Sequence, residues 1–102
     1  MKIIEEFAEF IEDELDDSEK YSKKAMCYKD AHPIAAELLY SLALEEMKHK
    51  SQLHNMVVKL IEEANQSGEV VPEWMLELYD RLHQKAIEHE QAVRILQSMF
   101  RE

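Results

Sequence analysis

This 102-residue sequence contains few of the residues that break helices or cross-link chains. It has one glycine and two prolines, which leaves almost no positions for the tight turns that an all-β fold requires. Its single cysteine, Cys27, excludes a disulfide bond within the chain and is typical of a reducing, cytoplasmic compartment. We expect Cys27 in the core or at its boundary.

Long apolar runs and basic residues are also scarce. The sequence has no apolar run of the roughly 18 residues that a membrane span requires, and its beginning turns acidic at Glu5 before a signal-peptide core forms. We therefore expect neither a membrane partner nor secretion. The 22 acidic and 12 basic residues give a net charge of −10, which repels nucleic acid and favours cations as partners. Nine acids lie between Glu5 and Glu19, a run that is typical of a solvated helix face.

The residues that are present favour helices. Apolar positions at helical spacing predict helices over about 3–29, 33–65 and 72–100, within one domain over 1–102. Pro33 and Pro72 are each expected at the first position of a helix, where a missing N–H costs nothing. Short connections make neighbouring helices antiparallel. The predicted fold class is all-α, a helical hairpin followed by a third helix.

Each predicted helix carries an apolar stripe, and polar residues interrupt the first two. Glu14 interrupts the first stripe, and Glu46 and His49 interrupt the second. The other members are Phe7, Ile11, Ser18, Tyr21, Ala25 and Tyr28 in the first stripe, Ala35, Leu39, Leu42, Leu53, Met56 and Leu60 in the second, and Met75, Tyr79, Leu82, Ala86, His89, Val93, Leu96 and Phe100 in the third.

Helix geometry predicts that the three interrupting residues meet. If the first two helices fold back on each other about the connection before Pro33, Glu14 lies level with His49. Glu46 is offset by three residues, about 4.5 Å along the helix axis, which side chains readily span. Neither stripe contains a lysine or arginine, so water, His49 or a metal ion must compensate two carboxylates whose uncompensated burial costs several kcal/mol.

The ligand set favours a transition metal. Carboxylate oxygens combined with an imidazole nitrogen suit iron, manganese or zinc, whereas a shell of oxygen alone would indicate calcium or magnesium. The alternative is a hydrogen-bonded Glu–His cluster with trapped water, in a metal-free acidic protein that uses its helices for oligomerisation or partner binding. We keep both interpretations at this point.

Glu14, Tyr21 and the segment Glu46-Glu-Met-Lys-His49 resemble the first half of a rubrerythrin-like or ferritin-like protein. The resemblance spans about Glu5 to Glu62. It implies a four-helix bundle with a dinuclear iron centre, in which two helices each supply a Glu and two each supply a Glu-x-x-His pair. By this resemblance Glu14 is the lone Glu, Glu46 with His49 is the pair, and the expected activity is oxidation of Fe(II) by dioxygen or peroxide.

The chain contains only one half of that ligand set. The resemblance therefore implies a homodimer or larger oligomer in which two hairpins complete the bundle and share the metals, as in the short encapsulated ferritins. His83, Glu88 and His89 of the third helix are left open as additional ligands. His32 and His54 are interpreted as surface or capping residues.

Overall fold

The computed structural model describes residues 2–102 and contains three α-helices. They are α1 (Lys2–Tyr28), α2 (Pro33–Gln66) and α3 (Glu73–Arg101). Over these described residues there is no strand, so the predicted all-α class is confirmed. Each predicted helix end differs from the observed one by a single residue or less. Among the described helices, none combines the length and the apolar character that crossing a membrane would require.

The helix ends follow from proline and glycine. Pro33 is the first residue of α2, after His32, which caps the helix without a side-chain hydrogen bond. Pro72 instead precedes α3 as its N-cap, with an extended ψ of 139°, so its predicted place inside the helix is wrong. Gly68 follows the end of α2 with a φ of +80°, a left-handed conformation that glycine adopts without steric cost.

Small residues let α1 and α2 pack closely as an antiparallel hairpin. The Ser18 hydroxyl donates to the carbonyl of Ala43 at 2.8 Å, and both residues are fully buried. Nearer the connection, Ala25 and Ala36 are also fully buried and share one core cluster. The predicted antiparallel pairing of these two helices is therefore observed.

Helix α3 runs antiparallel to α2 and parallel to α1. The side chain of Gln97 donates to the Ser18 hydroxyl at 3.3 Å, and near the end of α3 the ring of Phe100 stacks on Tyr40 of α2 at 4.7 Å. Arg101 then forms an ion pair with Glu37 at 2.8 Å. The result is a rod of 57 × 18 × 18 Å.

The buried face of α1 shares only Ile11, Ser18 and Ala25 with the predicted stripe, and the buried face of α2 lies beside its predicted stripe. Glu14 and Tyr21 are only half-buried, and Tyr28 is 42% exposed. The physical reason is that α3 packs on one side of the hairpin and turns both buried faces toward itself. The α3 stripe is largely as predicted. The buried residues are Ile4, Ala8, Ile11, Leu15, Ser18, Ser22 and Ala25 in α1, Ala36, Ala43, Met47, Val57 and Ala64 in α2, and Met75, Tyr79, Ala86, Val93, Gln97 and Phe100 in α3.

Two individual residues differ from their predicted environments. Cys27 is exposed, so its predicted place in the core is wrong. The buried stripe of α1 passes through Ser22 and Ala25 and does not include Cys27. His54 is half-buried against α3, so its interpretation as a surface residue is also wrong.

The side of the hairpin away from α3 remains apolar and exposed. Helix α3 contacts α1 through Ser18, Glu19 and Ser22, whereas Glu14 and the apolar residues near it lie on the other flank of the buried stripe. The exposed apolar residues on this side are Ile3, Phe10 and Tyr28 of α1 and Leu38 and Met56 of α2, each 39% to 61% exposed. We call these five residues the open face.

Candidate metal centre

The structure brings Glu14, Glu46 and His49 together, as the helix geometry predicts. One ligand atom of each residue lies within 4.8 Å of the others. The Nδ1 atom of His49 is 3.4 Å from Glu14 Oε2 and 3.7 Å from Glu46 Oε2. We call these three residues the ligand group. Glu14 comes from α1 and the other two from one turn of α2, so the antiparallel hairpin alone assembles it.

The ligand group lies at the border between the α1–α2 contact and the open face. The side chains of Glu14 and Glu46 are 24% and 19% exposed, and that of His49 is 51% exposed. The carboxylates are therefore mostly shielded from water, while the imidazole reaches the surface. Such a position holds the oxygen atoms in place and still leaves access for an ion or for a second chain.

Glu14 has a buried oxygen that nothing in the described chain satisfies. Its Oε2 atom is inaccessible to solvent and accepts no hydrogen bond; His49 lies within ion-pair distance of it, but the alignment is not that of a hydrogen bond. Among residues 2–102, no lysine or arginine forms an ion pair with Glu14 or Glu46. A buried carboxylate without a partner is strongly unfavourable, which favours an external cation at this position.

A second cluster of acids and histidine lies between α1 and α3. His89 is held between Glu12, 3.4 Å from its Nδ1, and Glu19, 3.2 Å from its Nε2, and Asp16 lies within 4.8 Å of Glu19 and His89. Burial alone would lower the pKa of His89, but the hydrogen bonds to Glu19 and Glu12 outweigh it and raise the pKa. For Glu19, burial opposes ionisation, but its bonds to His89 and Lys23 prevail and lower the pKa.

The two clusters differ in what balances their charge. In the second cluster both imidazole nitrogens face carboxylates, which is the arrangement of a protonated imidazolium. Glu12 keeps one buried oxygen without a partner, yet its other oxygen bonds to His89. The second cluster therefore carries its own cation and serves as an ion pair between α3 and α1. In the ligand group, by contrast, a single nitrogen of His49 lies 3.4 Å and 3.7 Å from the two carboxylates, and the buried Oε2 of Glu14 accepts no hydrogen bond.

The residues of α3 that were left open as ligands do not join the ligand group. His89 lies in the second cluster, and Glu88 is exposed. His83 stacks on His54 of α2 with ring centroids 4.3 Å apart. Tyr21, named in the resemblance, is half-buried, and no hydrogen bond joins it to Glu14 in the described part of the chain.

Sequence reasoning did not identify the partners of His89. Pairing of α3 with α2 about the connection before α3 predicts Glu88 level with His49 and His89 at nearly the same depth, whereas the observed partners of His89 lie on α1, which runs parallel to α3. The spacing of Glu12 and Glu19, seven residues apart on one helix face, was the available signal. It became meaningful only once the position of α3 was known.

Carboxylate oxygens and an imidazole nitrogen match the donor preference of iron, manganese and zinc. A dinuclear centre of the ferritin-like type requires a second set of the same ligands, which the described residues of one chain do not contain. Comparison of this chain with protein-family models, with curated proteins and with solved structures gives no match. The resemblance to ferritin-like proteins therefore depends on the residues of α1 and α2 themselves.

Proposed function

We propose that two copies of this chain pair through the open face and bind Fe(II) ions at a shared dinuclear site, where the iron is oxidised. The observation that carries the proposal is the buried Oε2 of Glu14, which lacks a hydrogen bond although Glu46 and His49 lie beside it. A divalent cation satisfies both carboxylates and the imidazole at once. It also removes the cost of burying two acids next to each other.

The second copy supplies the missing half of the ligand set. One chain offers a single Glu from α1 and a single Glu-x-x-His pair from α2, and a twofold axis doubles both. Pairing through the open face also covers the exposed side chains of Phe10, Leu38 and Met56, since apolar area removed from water contributes favourably to association. The two hairpins then form the four helices of the bundle.

In this proposal iron is the substrate, and the side chains have distinct roles. Glu46 and its symmetry mate are the bridging carboxylates, while Glu14 and His49 are terminal ligands. Two Fe(II) ions each release one electron, and dioxygen takes up two electrons and two protons to leave as hydrogen peroxide. With peroxide as the oxidant, the same electrons and protons yield two water molecules. Hard carboxylate oxygens favour the Fe(III) product over Fe(II), which assists the oxidation.

Metal binding is tested first without oxygen. Anaerobic titration of the purified chain with Fe(II) is expected to saturate at one iron per chain, that is, two per pair. Glu46→Ala removes the bridging carboxylate and is expected to bind no iron at this site. Glu45→Ala is the matched control, because Glu45 is the exposed neighbour of Glu46 and its loss is expected to leave the stoichiometry unchanged.

Oxidation is tested by admitting air to the loaded protein and recording absorbance in the near ultraviolet. The parent and Glu45→Ala are expected to oxidise Fe(II) faster than buffer, and Glu46→Ala at the buffer rate. Iron that binds but is oxidised no faster than in buffer contradicts the activity. Absence of any stoichiometric metal contradicts the site itself and favours the metal-free acidic helical protein. Elemental analysis after expression shows whether manganese or zinc occupies the site instead.

A further inference from the structure

A cavity of about 340 Å³ lies among the three helices, apart from the ligand group. Its apolar walls come from α1 and α3 and include Ala8, Ile11, Leu82 and Ala86. Glu14, Glu46 and His49 do not line it. The proposed iron chemistry does not involve this cavity, so a ligand bound there would be independent of the metal.

One wall of the cavity consists of three nearly parallel rings. His54 and His83 stack with centroids 4.3 Å apart and an angle of 6° between their planes, and Tyr79 lies 6.2 Å from His54 and 6.0 Å from His83. The Tyr79 hydroxyl and His54 Nδ1 are 2.8 Å apart, which holds both rings in position. Flat rings of this kind favour an aromatic occupant that stacks against them or meets them edge to face.

The volume of the cavity indicates the size of the occupant. An apolar cavity of roughly 150 Å³ holds benzene, so about twice that volume accommodates two fused rings. Aliphatic and aromatic side chains together line the cavity, which is the usual composition of a small-molecule site.

The charges around the cavity are mostly balanced, which favours an uncharged occupant. Glu12 also lines the cavity; one of its oxygens lies 3.4 Å from His89 Nδ1, and the other is buried without a hydrogen-bond partner. Lys50 and Glu90 form an ion pair at 2.8 Å and neutralise each other. Burial lowers the pKa of His54, and the charge of Lys50 acts in the same direction, which favours the neutral imidazole. Lys85 is exposed, and its charge stays in water. In the described chain His83 makes no hydrogen bond, so its ring nitrogens are available to a polar group.

We propose that this cavity binds an uncharged, planar, bicyclic aromatic molecule with a hydroxyl group at its edge. The two rings lie between the aliphatic wall and the ring wall, and the hydroxyl group bonds to an imidazole nitrogen of the His54–His83 pair. The proposal does not depend on metal, and the open face and the ligand group play no part in it.

The test uses 2-naphthol as the probe, with the full chain, metal-free. Calorimetric titration is expected to show saturable binding of one molecule per chain, and methyl resonances of Ile11 and Leu82 are expected to shift. Ala86→Leu fills the cavity and is expected to weaken binding by about tenfold or more, since the probe no longer fits. Ala92→Leu is the matched control, because Ala92 is exposed on the same helix.

A second variant tests the site in case Ala86→Leu disturbs the packing of the helices. His83→Ala removes one ring from the half-exposed side of the wall and is expected to weaken 2-naphthol binding without loss of helicity. Equal affinity for decahydro-2-naphthol, which has the same skeleton without aromatic rings, overturns the aromatic preference. Tighter binding of 2-naphthoate overturns the preference for an uncharged molecule, and absence of saturable 2-naphthol binding overturns the site.

Discussion

The environment of a single carboxylate separates structural acids from candidate ligands in this protein. Glu90 is half-buried, and burial alone would raise its pKa, but the hydrogen bond from Lys50 at 2.8 Å outweighs it and lowers the pKa. Glu19 is likewise stabilised by His89 and Lys23. The buried Oε2 of Glu14, by contrast, accepts no hydrogen bond, although His49 lies 3.4 Å from it. A group that destabilises the chain where it stands is a candidate for function.

Replacing Glu14 tests this difference directly. Glu14→Leu is expected to raise the free energy of unfolding of the metal-free chain by about 1–2 kcal/mol, because it removes a buried, unsatisfied oxygen and adds apolar contact. The same variant is expected to lose iron binding. Urea unfolding followed by circular dichroism at fixed protein concentration measures the first effect.

The control for Glu14→Leu is Asp17→Leu, which places the same side chain at an exposed position one turn later. It is expected to change stability by less than about 0.5 kcal/mol. If Glu14→Leu destabilises the metal-free chain, the Glu14 carboxylate is satisfied by contacts within the protein, and the argument for an external cation fails.

His89 makes stability depend on pH. Its pKa is raised in the folded state from the ordinary 6.5. Its contribution to the free energy of unfolding is therefore fully present below pH 6.5 and is lost as the pH rises through the folded pKa. The pKa of Glu19 is lowered from 4.5, so its contribution is present above that value and is lost as the pH falls through the folded pKa. The ion pair between His89 and Glu19 therefore stabilises the folded chain most between pH 4.5 and pH 6.5.

This expectation is measured by urea unfolding at about pH 5.5 and about pH 8.5. The parent is expected to lose more unfolding free energy between the two conditions than His89→Gln, which carries no titrating ring. His32→Gln changes an exposed histidine and should behave as the parent does. An identical loss in the parent and His89→Gln would show that the ion pair between α3 and α1 does not set the pH dependence.

At the scale of the helices, spacing predicts the elements well and their faces less well. The three helices and the antiparallel hairpin follow from apolar periodicity and two prolines. The buried face of α2 is rotated away from its predicted stripe, and that of α1 overlaps its predicted stripe only in part, because each helix packs against two neighbouring helices. Glu14, predicted inside a seam, thus lies at its border, while its neighbour Leu15 is fully buried.

Small residues set how closely the helices approach. Ala25→Leu is expected to lower the free energy of unfolding by about 1–3 kcal/mol, because Ala25 is fully buried against α2 and α3 and extra carbons there force the helices apart. Lys24→Leu, at the exposed neighbouring position, is expected to be nearly neutral. Urea unfolding of both variants measures the difference. Equal free energies of unfolding for Ala25→Leu and Lys24→Leu would mean that the helices around Ala25 are not closely packed.

At the scale of the whole molecule, the rod has one covered side and one apolar open face. The described chain covers the α3 side of the hairpin with an ion pair, a stacked ring pair and a buried Gln–Ser hydrogen bond. It leaves Phe10, Leu38 and Met56 exposed on the other side. The ligand group lies at the edge of that same face, which connects the proposed metal site with the proposed pairing.

Pairing through the open face is tested by adding charge to it. Leu38→Glu is expected to convert the pair to monomers and to weaken iron binding by about tenfold or more, because burying an unpaired carboxylate in an interface is unfavourable. Ile95→Glu is the control, since Ile95 on α3 is 62% exposed and Leu38 is 61% exposed. Light scattering measures the mass; a parent that is monomeric at all accessible concentrations contradicts the shared site.

The sequence alone determined the all-α class, the limits of the helices and the meeting of Glu14, Glu46 and His49, because periodicity, prolines and helix rise act locally or across one short connection. Only the tertiary structure decided what α3 contacts. The pairing of His89 with Glu12 and Glu19, the burial of His54, the ring-walled cavity and the orientation of the open face all depend on which groove α3 occupies. That choice depends on packing summed over three helices, which no local pattern in the chain encodes.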